Sequence, residues 1–228
     1  MLNNSPQLKN LYEILSVRVK HICRDRDDSH GHLHMKSVCD NSLRIVDELK
    51  IWDKNDIKDI MVVAWLHDIN DHKYSNAELE KELDNLLEEV YPNKKQKQSH
   101  ILNIIERISY SKENKTLQNN EKLDWLDVLG SKGILIRNIV SDADKLEAIG
   151  KVGFERCVEY TKHSYKEKHN CEIPFEDLVK EVKNHADEKL LRLKDDFIRT
   201  TPGKKMAEPL HDELLEELSK MESVTSNE

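Results

Sequence analysis

His67 and Asp68 end the most apolar run of the chain, Ile60-Met61-Val62-Val63-Ala64-Trp65-Leu66. A carboxylate driven into such a segment is costly to bury unless it is paired, hydrogen-bonded or bound to a metal. Two other clusters offer partners: Ser29-His30-Gly31-His32-Leu33-His34 upstream and Ser141-Asp142-Ala143-Asp144-Lys145-Leu146 downstream. Imidazole nitrogen suits Mn, Fe, Co, Ni and Zn, and carboxylate oxygen suits Mg and Mn. Together the clusters point to one buried divalent-metal centre with a mixed ligand set, unlike that of a structural zinc, and hence to an enzyme. Successive helical residues stand about 100° apart, so His67 and Asp68 can share an ion only where a helix edge points into the centre. Asp142 and Asp144 are about 200° apart on a helix, so one of the two is expected as a ligand.

The elements that must position these residues read as helices throughout. Apolar residues recur at three- and four-residue spacing, with no convincing run of strict alternation. Leu8, Leu11, Leu15 and Val19 make a first stripe. Val38, Ser42, Ile45, Val46 and Leu49 make a second, expected to begin just after His34. Asp53 or Asn55 can cap a third helix running through Ile57, Ile60, Met61, Ala64 and Trp65 toward His67. Asn76 can cap a fourth through Leu79, Leu83, Leu86 and Val90, and a fifth carries Ile101 to Ile108. After the polar stretch SKENKTLQNN and a stop at Gly130, helices are expected over 134–140 and from Asp142 to about Tyr160. Residues 161–173 read as a mobile loop, followed by a long helix from Phe175 to Ile198, the turn Thr201-Pro202-Gly203 and a last helix to about Leu218. The expectation is a single all-α domain over residues 8–220, with flexible ends at 1–7 and 221–228.

Composition narrows the function classes. A chain of 228 residues buries about 70% of its unfolded surface, enough for a sizeable core. Charged residues are 35% and hydrophobic ones 37%, with few Gly and Pro. A net charge of −8 argues against a general binder of nucleic acid or anionic membrane. The longest apolar run is far short of a membrane span. The opening MLNNSPQLKN has no signal-peptide pattern. Cys23, Cys39, Cys157 and Cys171 form no CxxC pair, so reduced thiols in a cytoplasmic setting are expected. The Lys/Glu-rich face of 78–89 and the run Lys94-Lys95-Gln96-Lys97 read as solvated surface, and Trp52, Trp65 and Trp125 as core or groove residues.

The order His34, His67-Asp68, Asp144 resembles the H…HD…D pattern of the HD-domain metal-dependent phosphohydrolases, an all-α helical-bundle superfamily. SHGHLHMKSV resembles the family's first-ligand segment, and AWLHDINDHKY its ALLHDI-type centre with a trailing acidic residue. SDADKLEAIGKVGFERC resembles the DADRLDAIGAIGIAR segment of a small single-domain bacterial branch that includes nucleotide pyrophosphohydrolases. EKLLRLKDDFIRT is similar to that branch's C-terminal helix, so the resemblance spans about residues 10–210. Three positions depart from it: Gly31 replaces an Asp, Ser37 an Arg, and Lys151 a small apolar residue.

The resemblance implies His34, His67, Asp68 and Asp144 as ligands of one divalent ion (Mn, Mg, Co, Ni or Fe). Asp144 is preferred over Asp142 because it directly precedes the Lys-Leu that matches the family's Arg-Leu. Asp71 falls where relatives place an acidic group that orients water or moves a proton. It shares a face with His67 if the helix continues that far. Lys73 and Lys145 are candidates to meet phosphate oxygens, and His30 to contact substrate. The implied activity is hydrolysis of a small phosphate substrate, most plausibly a nucleotide, with a homodimer left open. Two other classes stay alive. An HD-type di-iron oxygenase would need further His ligands, for which His72 and His100 are available. A silent HD binding module would explain the altered Gly31 and Ser37.

Overall fold

The computed structural model describes residues 2, 5–26, 31–51, 53–70 and 77–225. It is all-α: ten α-helices and no strand among the described residues. They are α1 Pro6–Ile22, α2 His32–Glu48, α3 Lys54–Leu66, α4 Ala77–Val90, α5 Lys95–Glu106, α6 Tyr110–Gln118, α7 Trp125–Leu146, α8 Gly150–His169, α9 Phe175–Glu188 and α10 Thr201–Thr225. The chain divides into two compact units, Met1–Ala143 and Asp144–Glu228.

The first unit is built around α3. Every residue from Ile60 to Leu66 is buried, as expected of a helix that is apolar on all sides. Asp53 caps it: its Oδ1 accepts from the amides of Asn55 and Asp56 at 2.9 and 3.1 Å. α1, α2 and α5 pack against α3. The turn after α2 is closed by Lys50 at φ 55°, with its amide donating to Asp47 O and that of Ile51 to Val46 O, both at 3.1 Å. α2 and α3 therefore run antiparallel, and the start of one lies beside the end of the other. Further out, the buried carboxylate of Asp59 accepts from the Tyr91 hydroxyl at 2.7 Å and from Lys97. Arg137, fully buried, pairs with the equally buried Glu113. It also donates to Arg107 O at 2.7 Å and lies 3.8 Å over the Trp125 ring.

The second unit packs α8 against α9 and α10. Its α8 opens at Gly150, whose φ of +76° only glycine adopts without strain. A Cβ there would also meet the Glu213 carboxylate and Leu210, each at 3.1 Å.

Several boundaries differ from the sequence reading. α2 begins at His32, so His34 lies in its first turn rather than before it. α7 absorbs residues 142–146, broken internally at Gly130 (φ 64°, ψ 173°), and the next helix starts only at Gly150. Residues 161–169 are helical, not loop, as a continuation of α8. Pairs such as Lys162–Glu159 and His163–Glu167 brace it. The turn comes at Asn170 in the left-handed region (φ 54°). The long helix expected to Ile198 stops at Glu188, where Lys189 leaves helical geometry (φ −131°, ψ −64°), and continues as short 3₁₀ and π turns to Phe197. Pro202 and Gly203 form the first turn of α10, capped by Thr200 Oγ1 accepting from Gly203 N at 3.0 Å. The expected Asn76 cap and Trp52 lie outside the described residues. All four cysteines are free thiols. Among the described residues no helix is long and apolar enough to cross a membrane.

Candidate metal centre

The end of α3 carries the HD pair. The last carbonyls of a helix lack amide partners within it, and His67 uses one: its Nδ1 lies 2.9 Å from Ala64 O. A carbonyl can only accept, so Nδ1 carries the proton and Nε2 of the neutral ring presents its lone pair. This arrangement is typical of metal-binding histidines, whose second nitrogen is fixed by a backbone acceptor.

That lone pair faces α2. His34, buried in the first turn, places its Nε2 3.3 Å from His67 Nε2. The rings are 5.3 Å apart between centroids and inclined at 59°. The Asp68 carboxylate reaches to 3.8 Å from His34 Nε2, and one donor atom from each of the three residues lies within 4.8 Å of the others. Two nitrogens each about 2.1 Å from one ion, at tetrahedral or right angles, stand about 3.0–3.4 Å apart. The histidine pair already has that spacing. Two buried imidazoles and a carboxylate therefore fit a borderline divalent cation. His34 and His67 form the closed side, with 5% and 9% exposure, while the Asp68 side chain is 25% exposed. Among the described residues this is the one such cluster.

A residue the sequence reading missed supports the turn. Arg26, just past α1, donates from Nη1 to Asp68 O at 2.8 Å and from Nη2 to Ile69 O. Nothing in RDRDDS marks a guanidinium that grips backbone, since backbone acceptors leave no trace in residue types.

The other sequence candidates fall as follows. Asp144, half-buried, stands on α7 as the first residue of the second unit; Asp142 and Lys145 beside it are buried. His30, Asp71, His72 and Lys73 lie outside the described residues. The shared face expected for His67 and Asp71 required the helix to continue that far, and α3 ends at Leu66. Among the described residues His32 joins no metal-ligand cluster. It bonds Ser16 Oγ at 2.9 Å, stacks near Trp65 at 5.5 Å and is held below the usual histidine range by burial, helped by Lys20 and Lys36. His100 packs against Gly133, where a Cβ would stand 3.1 Å from its ring, and is likewise depressed by burial. It is absent from the His34–His67–Asp68 group.

No family model and no curated protein sequence matches the chain. Solved structures do. An HD-superfamily hydrolase from Bacillus thuringiensis is similar over 97% of this chain and all of its own (TM-score 0.62, 23% identity). Bacillus subtilis YpgQ, solved in complex with ADP, is similar over 95% of both chains (TM-score 0.63, 19% identity). A Lactobacillus plantarum protein covers 98% and 99% (TM-score 0.66, 20% identity). The fold is thus the one seen in an HD-superfamily hydrolase, over nearly the whole chain.

Proposed function

Because this fold carries a His–His–Asp cluster at the end of its central helix, we propose that the chain is a metal-dependent phosphohydrolase of the HD superfamily acting on nucleotides. The observation that carries the reading is the 3.3 Å approach of the His34 and His67 Nε2 atoms beside the Asp68 carboxylate. ADP bound to YpgQ supports a nucleotide as substrate. The DADKLEAIG segment favours cleavage of a (deoxy)nucleoside triphosphate to monophosphate and pyrophosphate.

His34, His67 and Asp68 would hold the ion, and Asp144 is proposed as fourth ligand on the strength of its sequence segment alone. The ion, when bound, supplies the Lewis acidity that activates water and polarises a phosphoryl oxygen. His34 and His67 exclude water from the inner side, so a phosphate would approach past Asp68. Asp71 is proposed to orient the attacking water and take its proton. The water oxygen then bonds to the α-phosphorus as the bond to the pyrophosphate oxygen breaks. Lys73, Lys145 and His30 are proposed to meet the substrate and stabilise charge on the transferred group.

The deciding experiment screens nucleotides and generic phosphoesters with Mn, Mg, Co and Ni, beside Asp68→Ala. Turnover in the wild type and its loss in the variant are expected. No turnover of any phosphate compound by metal-loaded protein refutes the activity, and wild-type rates in Asp68→Ala refute the site.

A further inference from the structure

The Arg26 guanidinium bonds the backbone that directly follows His67. It takes two successive carbonyls, those of Asp68 and Ile69. Its own backbone is fixed in turn. The Arg26 amide donates to Cys23 O at 3.1 Å and the Cys23 amide to Val19 O at 2.8 Å, so the residue rides on the last turn of α1, which packs on α3. Two parallel donors on one rigid fork fix two peptide planes at once. The planes held here are those that set the backbone at Asp68, a carboxylate on a turn beyond the end of α3, with no helical bonds of its own to aim it.

We propose that Arg26 is a positioning residue of the metal centre, holding the Asp68–Ile69 backbone so that the Asp68 carboxylate faces His34. The inference rests on the metal-centre reading. Two effects of removing Arg26 have opposite signs. A guanidinium near a cation site repels the cation, so loss of its charge alone would tighten metal binding. Loss of the grip frees the Asp68 turn and weakens binding. Outer partners that orient ligands typically contribute about 10–100-fold in metal affinity, which exceeds what a partly screened charge returns.

Co(II) serves as the probe, with affinity taken from its visible absorption on the full chain and folding monitored in parallel without metal. Arg26→Ala is expected to bind Co(II) about 10–100-fold more weakly, with partial rescue by millimolar guanidinium. Arg26→Lys, which offers a point donor in place of a fork, is expected to fall between the two. Unchanged or tighter binding in Arg26→Ala overturns the proposal. If that variant does not fold, a wild-type Co(II) affinity in Arg26→Lys overturns it instead. Absence of Co(II) binding in the wild type refutes the metal centre itself, an outcome distinct from either.

Discussion

The Nε2 atoms of His34 and His67 face each other at 3.3 Å across a separation of 33 residues. One ring is oriented by the Ala64 carbonyl, which keeps a proton on Nδ1, so a divalent cation between the two Nε2 atoms would bind the folded chain in preference to the unfolded one. At about one hundred times its Kd, such a ligand adds about 2.7 kcal/mol to stability. Urea unfolding with and without Mn(II) or Co(II) should show a gain of this order, and His67→Ala should abolish it. An equal gain in His67→Ala would mean the ion binds elsewhere.

Glu113 and Arg137 are both shut off from solvent. Removing one partner of a buried pair leaves an uncompensated charge and costs about 3–5 kcal/mol. Glu113→Ala should lose that much in urea titration. The double change Glu113→Leu with Arg137→Met should lose far less, since two apolar chains of similar volume replace the pair. A smaller loss in the single variant than in the double would contradict the assignment.

How much of this was legible in the residues depends on what each feature is made of. Stripes at helical spacing located α1 to α5, because burial on one face is written in side-chain type. The Asp53 cap was equally readable. The helix over 161–169 was not, because its polar sequence holds no apolar stripe and it is braced by local ion pairs. The donor trio His34, His67 and Asp68 followed from the motif order. Its geometry did not, since His67 is oriented by the Ala64 carbonyl and the Asp68 turn is gripped by Arg26 through carbonyls, and carbonyls are common to every residue.

Gly150 starts α8 at positive φ, with Leu210 and Glu213 where a β-carbon would stand. Alanine there meets both backbone strain and contact, together about 1–3 kcal/mol. Gly150→Ala should lower the urea midpoint accordingly, whereas Lys151→Ala, an exposed neighbour, should leave it within about 0.5 kcal/mol. Equal effects would place the strain elsewhere.

His185 is held below the usual histidine range, chiefly by burial and further by Lys189, against the pull of Glu188. The unfolded chain therefore takes up this proton at a higher pH than the folded one. Stability contributed by neutral His185 is complete above about pH 6.5, the ordinary histidine value, and is lost as pH falls from there through the lowered value. Urea midpoints between pH 7.5 and 5 should fall less steeply in His185→Gln than in the wild type. Parallel profiles would exclude the residue as a contributor.

The antiparallel packing of α2 on α3 has one more consequence. His34, His67 and Asp68 meet through the α2–α3 turn, while Arg26 reaches them from the exit of α1, which packs on α3. Loop-closure entropy grows only slowly with length, so the 33-residue separation of His34 and His67 adds little beyond the cost of closing the hairpin turn. The donor trio thus sits on one helical hairpin, with the arginine that fastens it supplied by the preceding helix.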